Sequence, residues 1–135
     1  MKDFQSIGEG RLPGLIGVEI DGVSHGSAKG SLLIRPDHLA PNGYLHAGTV
    51  VSLADTLAGY GCMGSLPEGA QSFTTIELKT NFTGTARSGR IRAEANMLHG
   101  GRTTQLWDVN VYNEAGKQIA CFRCTQFILY PKKEK

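Results

Sequence analysis

Apolar and polar residues alternate along most of this chain, and a period of two predicts strands with one buried face. From Phe73 to Phe82, the residues Ile76, Leu78, Thr80 and Phe82 alternate with Glu77, Lys79 and Asn81. From Arg90 to Leu98, Ile91, Ala93, Ala95 and Met97 alternate with Arg90, Arg92, Glu94 and Asn96, and Gly100-Gly101 follows as a hairpin turn. Trp107, Val109 and Val111 then alternate with Asp108 and Asn110. The turn Asn113-Glu114-Ala115-Gly116 leads into a long last strand, Lys117 to Tyr130, which Pro131 stops. Upstream, Ile16 to Val23 and Ala28 to Arg35 flank Ser24-His25-Gly26-Ser27 and predict a first hairpin.

One segment breaks the alternation. Between His46 and about Met63, Val50, Leu53, Ala54, Leu57 and Gly61 fall at i, i+3, i+4, i+7 and i+11, the spacing of one helix face. About 17 residues at 1.5 Å each span roughly 25 Å, the length of an eight-residue strand, so the helix can lie along a sheet. The element order is β-β-α-β-β-β-β with hairpin links among the late strands. That order predicts an α+β fold in which an antiparallel sheet curls around one long helix. The opposite stripe, Gly48, Ser52, Asp55 and Gly59, lacks the Glu and Lys of a solvated face. Glycine inside a helix costs up to about 1 kcal/mol relative to alanine, which a close approach by another surface justifies. The stripe is read as a second packing face, against the same helix of a partner subunit.

The 135 residues fit one domain, divided as an N-terminal segment at 1–15, a domain at 16–131 and a basic tail at 132–135. No apolar run approaches the ~18 residues of a membrane span, and the chain is expected to be soluble. Its 14 basic and 12 acidic residues are scattered, which is no nucleic-acid footprint. Met1 to Gly14 holds no apolar stretch of the signal-peptide kind, and a cytoplasmic location is expected. Cys121 and Cys124 sit at i and i+3 of a strand, on opposite faces, so buried reduced thiols are expected rather than a redox pair or zinc site. His25, His38 and His99 have no ligand spacing and read as surface residues; no metal site is expected. Gly22-Val23-Ser24-His25-Gly26 has the letters of a nucleophile elbow, but it joins two strands rather than a strand and a helix, and reads as a turn.

Asp55 is the chemical anomaly. It lies at mid-helix among Ala54, Thr56, Leu57 and Ala58, with no Lys or Arg three or four residues away. A buried unpaired carboxylate is expensive, and desolvation raises its pKa, which makes Asp55 a candidate general base or nucleophile. The residues entering the helix, Asn42 to Gly48, offer backbone N–H groups at a positive dipole end, a place for an oxyanion. His46 and Asp55 are about 13 Å apart along one helix axis, too far to act on one carbonyl. If both serve one site, two chains build it, and antiparallel helices about a two-fold axis would bring the middle of one beside the start of the other.

Leu45-His46-Ala47-Gly48 followed by Leu53-Ala54-Asp55 resembles the H-G-G-x(6)-D/E signature of hotdog-fold acyl-CoA thioesterases. The similarity runs over Ile16 to Tyr130, with Glu77 to Phe82, Gly89 and Gly101-Arg102-Thr103, and is nearest to the phenylacetate-degradation and hydroxybenzoyl-CoA branch. The resemblance implies that Asp55 activates water or attacks the thioester carbonyl, while the Ala47 N–H binds the carbonyl oxygen from the other subunit. Ala47 stands where the signature has its first glycine, which keeps the N–H. Asn42 is four residues before His46, where relatives carry an orienting amide about six before. Gly59 stands where relatives often have Ser or Thr. The resemblance also implies that Asn81, Arg87, Arg102 and Thr103 meet the CoA phosphates, with CoA as part of the substrate and no separate cofactor. It implies a homodimer, or a dimer of dimers forming a homotetramer. The rivals are a non-catalytic acyl-CoA binding module and a hotdog hydratase or dehydratase.

Overall fold

The computed structural model describes residues 3–132. Of the basic tail only Lys132 falls within that range. The alternating segments form six strands: β1 (Glu19–Ser24), β2 (Ser27–Leu33), β3 (Ser72–Phe82), β4 (Arg90–Gly100), β5 (Thr104–Tyr112) and β6 (Gln118–Leu129). They make one antiparallel sheet in the order β1-β2-β4-β5-β6-β3. β1 and β2 close on Ser24 opposite Ser27, and Gly26 takes the left-handed φ of 78° that the turn needs.

The structure adds to the predicted order two short 3₁₀ turns, Ser6–Gly8 and Pro36–His38, and a five-residue helix α1 (Leu12–Ile16) with proline in its first turn and Gly17 at φ 81° as its stop. The N-terminal segment is tied to the domain. The Gln5 amide donates to the Val18 carbonyl and accepts from the Ile20 N–H, and Phe4 packs on Tyr60 with ring centroids 5.3 Å apart.

The long helix α2 (Ala47–Met63) lies against the sheet and touches all six strands. Val50, Leu53, Ala54, Leu57 and Gly61 are all buried, as their spacing predicts. Gly61 shows how tightly this layer packs: a Cβ there would lie 2.6 Å from the ring of Trp107, itself fully buried on β5. Gly59, predicted to face a partner, is instead covered within the chain, because the Phe73 ring of β3 lies 3.2 Å from where its Cβ would be. Phe73 reaches that position through a bulge at Ile76. On β3 the inward set is Phe73 and Thr75 before the bulge and Leu78, Thr80 and Phe82 after it, opposite the buried Ile128, Gln126, Cys124, Phe122 and Ala120.

Replacing Gly61 with alanine gains about 1 kcal/mol of helix propensity but overpacks Trp107, which costs roughly 1–3 kcal/mol. The clash with a fully buried ring wins, and chemical denaturation of Gly61→Ala should show a net loss of up to about 2 kcal/mol.

Candidate active site

Helix α2 starts at an unusual cap. His46 is in extended conformation (φ −69°, ψ 135°), and its Nδ1 accepts the Gly48 N–H at 2.7 Å, the place usually taken by a Ser, Asp or Asn oxygen. The bond assigns the neutral ring's proton to Nε2. A Cβ at Gly48 would lie 3.0 Å from that Nδ1, so glycine is what lets the imidazole close over the turn. The Thr49 N–H goes to the His46 carbonyl at 3.0 Å, and Val50 reaches the same carbonyl at 3.4 Å. Of the candidate donors at 46–48, His46 gives its N–H to the His38 carbonyl and Gly48 gives its own to the cap, which leaves Ala47.

Asp55 lies two turns further on and is half-buried. Its Oδ1 is shut off from solvent and has no hydrogen-bond partner, and burial raises the carboxyl above its ordinary value. The neighbouring thiols behave alike: burial pushes Cys62 and Cys124 up to about 12, with the Asp55 charge a further cause at Cys124. Both are inert thiols of the layer between helix and sheet. Cys121 departs from the expectation of burial, since it is exposed on the outer face.

The structure brings some of the predicted residues together and separates others. Asn42 Oδ1 accepts the Tyr44 N–H at 3.1 Å, and the Arg87 guanidinium stacks 4.9 Å above the Tyr44 ring, so both stand beside the helix start. The pairing of Leu45 N–H with the Ala86 carbonyl at 2.9 Å fixes that proximity. Arg102 and Thr103 lie at the far end of the sheet, where Arg102 stacks 5.5 Å over Tyr130 and Thr103 accepts the Ile128 N–H. They are about one β3 length away, on the order of 30 Å. Asn81 pairs with the exposed Cys121 on the outer face, opposite to Asp55. Ala47 and Asp55 are about 12 Å apart along the helix, and neither reaches the other's substrate atom within one chain. Among the described residues, no group of three or more His, Cys, Asp or Glu side chains is placed to hold a metal ion.

His38 is placed differently from what its spacing predicts. It was expected at the surface and is 2% exposed, with both ring nitrogens engaged.

The description of the thioesterase superfamily matches residues 42–120, the stretch that holds the helix cap, Asp55, strands β3 to β5 and the start of β6. The chain belongs to the thioesterase superfamily. It is 33% identical over 120 residues to a 1,4-dihydroxy-2-naphthoyl-CoA hydrolase of Listeria monocytogenes, covering 89% of this chain and 95% of the relative. A protein of the same name from Escherichia coli is 28% identical over 132 residues, covering 96% and 94%. A crystallised thioesterase variant from Pseudomonas aeruginosa superposes with a TM-score of 0.88 at 26% identity, covering 93% and 91%. The hotdog architecture and a thioester-hydrolysing enzyme both stand as the sequence predicted. This member of the superfamily carries Asp55 unpaired on a helix whose start leaves one N–H unclaimed.

The Asp55 carboxyl has a raised folded pKa, so protons bind the folded state more readily than the unfolded chain, and stability falls as pH rises from the ordinary Asp value through the raised one. Asp55→Asn removes that charge. The variant should therefore unfold at a higher denaturant midpoint than the parent at pH 7, and the difference should close as pH falls below about 4, near the unfolded Asp value.

Proposed function

We propose that this chain hydrolyses acyl- or aryl-CoA thioesters to the free acid and coenzyme A at a site shared by two subunits. The single observation that carries the mechanism is Asp55, a desolvated carboxylate without a partner in the middle of α2. Desolvation makes it a stronger base. It takes a proton from water as the hydroxyl oxygen adds to the thioester carbon. The developing oxyanion is met by the Ala47 N–H of the other subunit, with His46 Nε2–H beside it. Collapse of the adduct breaks the C–S bond, and the proton held by Asp55 goes to the leaving CoA sulfur. Preorganised N–H donors of this kind are commonly worth 10²–10³ in rate.

The edge strand supports the shared site. β3 is eleven residues long and among the described residues pairs only with β6, and Ile76, Leu78 and Phe82 are exposed along it. A long apolar edge invites strand addition. Two β3 edges joined antiparallel about a two-fold axis would set the α2 helices antiparallel, with Ala47 of one facing Asp55 of the other. The same operation carries the partner's Arg102 and Thr103 end of the sheet toward this chain's Arg87, one basic side chain from each subunit for the CoA phosphates. The outward-facing Phe127 and Leu129 offer a surface on which two such dimers would stack into a tetramer. The naming of two relatives as dihydroxynaphthoyl-CoA hydrolases favours an aromatic acyl group, within the aryl branch rather than an aliphatic one. Three free cysteines agree with a reducing, cytoplasmic setting.

Asp55→Asn should lose at least about 100-fold in kcat, measured as thiol release across a panel of CoA and carrier-protein thioesters. Near-parental turnover would remove Asp55 from the mechanism, and tight CoA-thioester binding without turnover in the parent would favour a binding module.

The shared geometry has its own test. Ala47→Pro deletes the free N–H at the first helical position, where proline is tolerated, and His46 already holds the extended conformation that a residue before proline prefers. Each variant alone should be inactive, and a mixture of Ala47→Pro with Asp55→Asn should regain about a quarter to a half of parental activity, through the one intact site of each mixed dimer. A dead mixture in which mixed dimers are shown to form would place both groups within one chain.

A further inference from the structure

His38 has no part in the chemistry just described, yet it is one of the few buried polar side chains of the chain and lies in the short 3₁₀ turn Pro36–His38 ahead of α2. Its Nδ1 accepts the Arg35 N–H at 2.9 Å. A backbone amide can only donate, so the neutral ring carries its proton on Nε2, which donates to the Ile16 carbonyl at 2.8 Å. The ring thereby joins the end of α1 to the turn, beside Arg35, whose guanidinium donates to the Leu15 carbonyl at 2.8 Å. The main-chain carbonyl of His38 accepts the His46 N–H at 3.0 Å and the Thr49 hydroxyl at 2.9 Å. One residue therefore grips the N-terminal segment with its side chain and both sides of the Ala47 peptide with its backbone. Between these grips the loop is closed by a single bridge, Leu39 opposite Leu45, and by Ala40 N–H on the Tyr44 carbonyl at 2.7 Å.

We infer that His38 is a positioning residue for the thioester site: the clamped ring sets the direction of its carbonyl, and that carbonyl holds the first turn of α2 so that the Ala47 N–H points at the developing oxyanion. The role rests on the reading of Ala47 as the oxyanion donor. Geometry of this kind matters to rate more than to binding, because a misplacement of about 1 Å at a reacting group costs on the order of 100-fold.

The test measures kcat and KM separately for the parent, His38→Ala, His38→Asn and Thr49→Val, with amide hydrogen exchange over residues 44–50. The expected result is a fall of about 30-fold or more in kcat for His38→Ala with KM within about threefold of the parent. Exchange at 44–50 should quicken while β5 is unchanged. His38→Asn keeps an acceptor near Nδ1 for the Arg35 N–H and should recover most of the loss. Thr49→Val, which leaves the ring untouched and deletes only the hydroxyl donor to the carbonyl, should lower kcat by about five- to tenfold and keeps the inference testable if His38→Ala does not fold. Parental kcat in folded His38→Ala or in Thr49→Val would overturn it, as would losses confined to KM. A parent inactive on every thioester would instead sink the thioesterase reading itself, and the positioning role of His38 with it.

Discussion

The first turn of a helix has more N–H donors than partners, and in this chain nearly every one of them is claimed. His46 supplies its ring to Gly48 and its carbonyl to Thr49, and His38 supplies a carbonyl to His46 itself. What remains is the Ala47 N–H, at the positive end of a 17-residue helix. The selection is physical: a serine or aspartate cap would satisfy a donor without fixing the loop, whereas an imidazole is bulky enough to require glycine at 48 and a defined approach from the 36–38 turn. Packing then freezes the axis along which that N–H points. Gly61 brings the far half of α2 onto Trp107, and Gly59 admits Phe73, so the helix cannot slide or roll without a clash at one of two fully occupied contacts.

That rigidity explains how Asp55 is tolerated. An unpartnered buried polar atom costs about 1–3 kcal/mol, and an exposed helix would relieve it by turning the carboxylate toward water. Here the Val50, Leu53, Leu57 and Gly61 face is fixed against the sheet, which leaves Asp55 on the flank toward β3 whatever its own preference. The fold thus holds a strained charge in place with apolar contacts that have no chemical role. Stability and reactivity pull in opposite directions at this position, as they do at many sites built to perform chemistry.

Much of this was legible in the sequence because periodicity survives wherever burial is one-sided. The α2 face, all six strands and the anomaly of an unpaired mid-helix Asp55 followed from it. Three features did not. The bulge at Ile76 reverses which residues of β3 face inward, and no composition marks it; alternation read through Ile76 to Phe82 therefore could not place Phe73 on Gly59. Helix α1 is five residues long, too short for a period to show. His38 looked like a solitary surface histidine because its ring partner, Ile16, is twenty-two positions earlier, and only the closed loop brings them together.

The two unclaimed groups of α2 also explain why a chain this small would need a second copy. Within one subunit the Ala47 N–H and the Asp55 carboxylate lie about 12 Å apart on one rigid axis, and bending the helix to bring them together would break the packing at Gly61. A rotation of the whole subunit costs no internal contact. Because β3 lies at the edge of the sheet, the strand addition that would bury Leu78 and Phe82 would also place one subunit's donor opposite the other's acceptor. In that arrangement edge, helix and unclaimed polar atoms would act as one constraint, since a single strand addition would both cover the edge and give the two groups a common substrate.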